Sequence, residues 1–256
     1  MVSIDGHGLA INDLVQVARH QEFVEISKAG IENVQHSRSN LEAILKTDNP
    51  VYGINTGFGI FAEQRIPRKD SDKLSRNLIL SHAVATGAAL PEEVTRAAML
   101  VRANTLVKGY SGVRQELVQT LVDMLNKGVT PVIPEQGSLG SSGDLSPLSH
   151  LALVFTTDAD DRLEDSGWAK FNGNIMRGKD AMDAAGITCI VLGPKEGLAT
   201  INGATFSAAI GALAVGTARR RVRITLGFSI GRIRRFPRRK SRPIRDICPI
   251  GFDQGA

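Results

Sequence analysis

Eight consecutive residues, Gly137-Ser138-Leu139-Gly140-Ser141-Ser142-Gly143-Asp144, hold the raw material for an electrophile made from peptide backbone. Glycine has no Cβ to shield its amide nitrogen and accepts sharply bent conformations. If the nitrogen of Gly143 attacks the carbonyl carbon of Ser141, a five-membered imidazolone ring closes with loss of one water. Loss of a second water from Ser142 leaves an exocyclic methylene, a soft electrophile. Side chains supply nucleophiles, acids and bases but no comparable electrophile, and such a group could attack an amine or an aromatic ring. The tripeptide alone does not demand this chemistry, because Ser-Ser-Gly is also ordinary turn composition. On the tripeptide alone the ordinary reading is the favoured one, with Asp144 as the N-cap of a helix over residues 148–155 and Pro147 in its first turn.

The elements that must position these residues are read from periodicity. Val2 to Ile11 reads as two short strands around an Asp5-Gly6 turn. Asn12 is expected to cap a helix carrying Leu14, Val15 and Val17. Helical spacing continues over residues 21–47, with Ile26, Ile31, Val34, Leu41, Ile44 and Leu45 as the apolar stripe. Residues 51–63 are rich in Gly, Asn and Thr and read as a loop. Three helices follow over 70–87, 91–108 and 111–127, the second closing at Lys108-Gly109. Residues 128–143 read as a loop, and the next helix reaches about residue 157. Residues 158–193 are polar with a small strand excursion over 169–175, and 196–215 returns to helix. The fold class expected is mainly α, with a small N-terminal α/β part leading into a helical bundle and no parallel-sheet alternation.

The 256 residues are 42 % hydrophobic and 22 % charged, a globular composition sufficient for one large or two small domains. No basic, apolar, small-residue leader pattern opens the chain. Its most apolar stretch, residues 206–215, is too short to span a bilayer. Cys189 and Cys248 lie far apart without metal-ligand spacing, so a reduced, cytoplasmic protein is expected. The net charge of +5 is unevenly spread. Residues 217–256 hold 12 of the 31 basic residues and two of the 26 acids, a net of +10, and residues 1–216 carry −5. From Gly216 the helical register is expected to break into Arg219-Arg220-Arg221, Arg234-Arg235 and Arg238-Arg239-Lys240, with Pro237, Pro243 and Pro249 between and after them.

Four further glycine-punctuated or polar blocks accompany the central one. They are Tyr52-Gly53-Ile54-Asn55-Thr56-Gly57-Phe58-Gly59, Asn77 to His82, Arg102 to Arg114, and Gly193 to Gly203 with Asn202 near its end. In this order the chain resembles the aromatic amino acid ammonia-lyase family, most closely its histidine ammonia-lyase branch, over residues 2–215. The resemblance implies a partial ammonia-lyase fold and a methylidene-imidazolone formed from Ser141, Ser142 and Gly143, where the family has Ala-Ser-Gly. Ser replaces Ala at 141, a position that gives the ring only backbone atoms. Asp144 is implied to support cyclisation and the local helix start, where gathered helix N-termini would stabilise developing negative charge. Tyr52 matches the family's β-proton base, a role that needs a phenol pKa below the usual 10. Asn202 matches an asparagine near the ring and the substrate amine. Ser81 and His82 match the substrate-side pair that tunes ring choice, here of the histidine type, whereas His150 is expected to be structural. The implied reaction is loss of ammonia from L-histidine to give trans-urocanate, with no metal and no diffusible cofactor, in a homotetramer whose sites draw on three subunits.

The resemblance ends where the basic segment begins. Family members run to about twice this length, and their second half supplies a further Tyr, a carboxylate-binding Arg, a Phe and a Glu. Residues 1–216 are thus expected to form the N-terminal portion, with 217–256 a basic non-family tail whose order or disorder the sequence leaves open. The abrupt change points to a reading-frame shift in the coding sequence, which translation of the other two frames tests. Impaired activity is expected of such a chain. The alternative is an inactive lyase-like body whose basic tail binds nucleic acid or an anionic surface. Few aromatics and no binding fold accompany those charges, so nucleic acid is the less favoured partner.

Overall fold

The computed structural model describes residues 1–47, 51, 53, 54, 56, 71–139 and 143–235, with backbone alone at 71–72 and 222–235. Among the described residues no helix is long and apolar enough to cross a membrane. The chain divides into two units, Met1–Gly216 and Thr217–Ala256.

The first unit opens with a parallel pair. Strand β1 (Val2–Ile4) lies beside β2 (Val24–Ile26), with Val2 opposite Val24 and Ile4 opposite Ile26. Helix α1 (Ile11–His20) connects them. The hairpin expected around Asp5-Gly6 does not form. The Asp5 carboxylate accepts the N–H groups of His7 and Gly8, and Gly6, at φ +91°, turns the chain away from β1. Asn12 lies within α1, and Asp13 accepts the Ala10 N–H at the helix start. The helix expected from residue 21 begins only after β2, as α2 (Lys28–Leu45), whose N-cap Ser27 accepts the Gly30 N–H. β-Branched Val24 and Ile26 favour the strand, and the Asn126 side chain pairs with both backbone groups of Val24.

Helices α4 (Glu92–Val107) and α5 (Gln115–Lys127) lie at the core. α4 buries Ala97, Ala98, Met99, Leu100, Ala103 and Leu106, the pattern of a helix covered on nearly all sides. α4 also buries two arginines. Arg96 donates to the carbonyls of Val17 and Leu125, at the ends of α1 and α5. Helices α3 (Ser71–His82), α6 (Leu145–Phe155) and α8 (Glu196–Ile201) pack on one another. Arg76 ties α3 to the end of α6 and the segment after it, donating to Thr156 Oγ1 and pairing with Asp161.

The short strands edge the helices. β3 (Thr86–Ala89) pairs antiparallel with β5 (Pro134–Gln136), and β4 (Thr130–Pro131) joins the hairpin β6 (Trp168–Phe171)–β7 (Asn174–Arg177), followed by α7 (Gly178–Ala184). The strand excursion expected over 169–175 is this hairpin. The expected loop 128–143 contains β4 and β5, and residues 86–87, expected to be helical, belong to β3.

The helix expected over 196–215 is two helices. α8 ends at Ile201, and α9 (Thr205–Arg235) begins after the break at Asn202, Gly203 and Ala204. α9 does not stop at Gly216 as the change in composition led us to expect. Its backbone is helical to Arg235, because Arg is a good helix former, isolated Gly costs only about 1 kcal/mol, and the first proline is Pro237. In the second unit the described residues are this continuation of α9.

Candidate active site

Gly143 and Asp144 form the junction between the loop at 137 and helix α6. Gly143 has φ +92°, a left-handed conformation that favours glycine. It pairs with Gly203 in an isolated parallel bridge, and the Asp144 N–H donates to the Gly203 carbonyl at 3.1 Å. A Cβ on Gly143 would collide with the backbone of Gly203 and lie 2.7 Å from Ala204 N. Conformation and space therefore both require glycine at the position whose nitrogen would close the ring. Asp144 is buried and occupies the N-cap position of α6, yet its side chain makes no cap bond there. Its carboxylate accepts Ser138 Oγ at 2.5 Å, Ser207 N at 3.0 Å and Ser207 Oγ at 3.1 Å. Asp144 thus caps the start of α9 and joins two helix N-termini beside Gly143, where partial positive charge accumulates.

The Asn202–Gly203 segment is held from behind. Arg102 on α4 is buried; its Nη1 donates to the Asn202 carbonyl at 3.0 Å and its Nη2 donates to the Ala199 carbonyl. Burial pushes the Arg102 guanidinium down to about 10, so it stays protonated at neutral pH. The start of α8 is fixed by Glu196, whose side chain is fully buried and accepts Arg114 Nη2 at 2.7 Å, Arg114 N at 2.8 Å and Gly193 N at 2.7 Å. The Asn202 side chain is exposed at the turn between α8 and α9.

Ser81 and His82 end α3. Ser81 Oγ and His82 Nδ1 both reach the Leu78 carbonyl, at 2.9 Å each, and lie 3.0 Å apart. The chain leaving them passes Ala85, whose N–H donates to His150 Nε2 at 3.1 Å. A Cβ on Gly137 would fall 2.5 Å from that of Ala85, so this segment abuts the start of the 137–144 loop. His150 is the structural residue expected of it. Its Nε2 must be unprotonated to accept, and burial lowers its pKa. Among the described residues no hydrogen bond joins Ser81 or His82 to Gly143, Asp144 or Asn202.

The predicted residues Tyr52, Ser141 and Ser142, and most of the expected loop 51–63, lie outside the described residues. Beside Tyr52, Gly53 N donates to the buried Thr56 Oγ1 at 3.3 Å. Sequence reasoning did not assign Ser138, Ser207, Arg102 or Glu196. An arginine within the apolar run of α4 was the available signal for Arg102. A groove of about 1000 Å3 lined by Gln35, Arg38, Arg114 and Cys189 contains none of the predicted site residues.

Comparison with known proteins matches the same region. The family model for aromatic amino acid lyases matches residues 9–228. Histidine ammonia-lyase of Caldanaerobacter subterraneus subsp. tengcongensis is 49% identical over 219 residues, covering 86% of this chain and 42% of that protein. The histidine ammonia-lyase of Gloeobacter violaceus is 50% identical over 217 residues, covering 85% and 41%. The crystal structure of histidine ammonia-lyase from Trypanosoma cruzi superposes with a TM-score of 0.75 at 37% identity, over 85% of this chain and 40% of that one. Phenylalanine aminomutase from Pantoea agglomerans gives 0.78 at 32% identity, over 86% and 41%. The chain therefore spans about two fifths of the length of the relatives it matches, and its fold is part of theirs.

Proposed function

Because the chain belongs to the aromatic amino acid lyase family, we propose that it is the electrophile-forming portion of an ammonia-lyase that eliminates ammonia from L-histidine. The observation that carries this reading is the pairing of Gly143 with Gly203, locked by Asp144 onto the start of α9. That geometry suits a backbone ring at residues 141–143, which would supply a soft electrophile for the substrate amine.

The chain's own residues then take these roles. Gly143 presents its backbone in the bent conformation that closure needs. Asp144 holds the two helix starts in register, and their dipoles favour negative charge beside it. Asn202, exposed at the same junction, binds the substrate amine in this reading. Tyr52 accepts the β-proton at Oη, and Ser81 with His82 selects the imidazole ring. Greater identity to histidine ammonia-lyases than to the aminomutase supports histidine over the larger aromatic amino acids. The whole enzyme is a cytoplasmic homotetramer in this reading, and the remainder of the pocket comes from chain beyond the matched portion, so turnover by these 256 residues is slow.

The test is product formation from L-histidine, L-phenylalanine and L-tyrosine, followed by the absorbance of urocanate and of the cinnamates. Urocanate from L-histidine alone is expected. Cinnamate or coumarate formation, or no urocanate from a chain shown to carry the ring, would contradict the proposal.

A further inference from the structure

Arg102 is a buried cation whose partners are backbone carbonyls. Its residue is 3% exposed, and its two bonds go to the carbonyls of Ala199 and Asn202. Its Nε has no hydrogen-bond partner among the described residues. Arg96, six residues earlier on α4, also spends its guanidinium on helix-end carbonyls, those of α1 and α5. Cations are favoured at helix C-termini, where unpaired carbonyls concentrate negative charge. Arg96 in this way joins core helices. The carbonyls that Arg102 holds belong instead to the segment that carries Asn202 and runs into Gly203.

Gly203 sits between two close neighbours. A Cβ on Gly203 would fall 2.7 Å from Arg102 Nη1, and a Cβ on Gly143 would collide with Gly203. The order is therefore guanidinium, Gly203 backbone, Gly143 backbone, without room for a side-chain atom at either glycine. A change at Arg102 is transmitted by contact to Gly143 and to the Asp144 N–H that the Gly203 carbonyl accepts.

We propose that Arg102 is a positioning residue that presses the Asn202–Gly203 segment against Gly143–Asp144, and so sets both the backbone geometry at Gly143 and the place of the Asn202 amide. The functional consequence rests on the ring reading above; the mechanical claim does not.

Amide hydrogen exchange on the 256-residue chain tests it, resolved at Asp144 and at core amides such as Leu121. Arg102→Met is expected to speed exchange at Asp144 by about tenfold or more, the loss of local protection that accompanies a lost buried hydrogen bond, with Leu121 unchanged. Arg102→Lys, which keeps one donor, should recover part of the protection. Gly203→Ala, which leaves Arg102 in place but crowds its guanidinium, should speed Asp144 alike, and the double variant should be no faster than the faster single variant. Wild-type exchange at Asp144 in both single variants, or equal acceleration of Asp144 and Leu121, would overturn the proposal. A separate mass measurement on the wild-type peptide 137–150 reports on the ring. Absence of the two-water deficit there removes the ring reading and leaves the exchange result standing on its own.

Discussion

Gly143 is where conformation and chemistry coincide. Its φ of +92° and its contact with Gly203 leave no place for a methyl group. Gly143→Ala is expected to lower unfolding free energy by about 1–3 kcal/mol through left-handed strain and backbone crowding. The same variant should carry residues 141–143 at full mass, and urea titration with peptide mapping checks both outcomes. The tripeptide and its aspartate were legible as potential chemistry from residue types alone. The true partner of Asp144 was not, because Ser207 lies 63 residues away and nothing local predicts it. Asp144 looked like an ordinary cap for its own helix, whereas it caps another one.

At the scale of elements, sequence periodicity found the long helices and failed at their junctions. α4 and the end of α5 read correctly because their apolar spacing is long and punctuated by Gly109 and Gly128, whereas α5 starts at Gln115 and not at the expected residue 111. The stretch 196–215 read as one helix although Asn202-Gly203, a turn-forming pair, marks the break after Ile201. That break exists because Arg102 and Asp144 take up the backbone groups on either side of it. The parallel pairing of β1 with β2 was missed for a similar reason, since it is a long-range contact between three-residue strands. Two predictions belong to this scale. Glu196→Gln leaves Arg114 without its buried carboxylate and should destabilise the α8 start, and with it the chain, by about 3 kcal/mol. That is the low end for breaking a buried pair, because Arg114 is one-third exposed; the urea midpoint reports it. His150 links α6 to the segment after α3 only when Nε2 is neutral. Its folded pKa is lowered by burial, so its contribution is complete above the unfolded value near 6.5 and is lost as pH falls through the folded value. Stability should therefore fall below about pH 6.5, and His150→Gln should flatten that part of the profile. An unchanged profile in the variant would assign the pH dependence elsewhere.

For the molecule as a whole, composition separated an acidic body from a basic end, yet charge did not decide secondary structure. α9 stays helical through a segment whose arginines obscured its periodicity, and the family match likewise passes Gly216 to reach residue 228. The chain holds part of an aromatic amino acid lyase, and in the proposed reading it is the part whose backbone becomes the electrophile. In that reading, the groups that complete the pocket belong to the three fifths of its relatives that it does not match. In the proposed reading, ring formation draws on the 137–144 segment and the Gly203 junction, both within residues 1–216, and so should not require the rest of the pocket. Intact-mass analysis of the purified chain, with peptide mapping across residues 137–150, tests this most directly. The account predicts a peptide lighter than its sequence by two waters, with the deficit confined to residues 141–143. A peptide of full mass would contradict it.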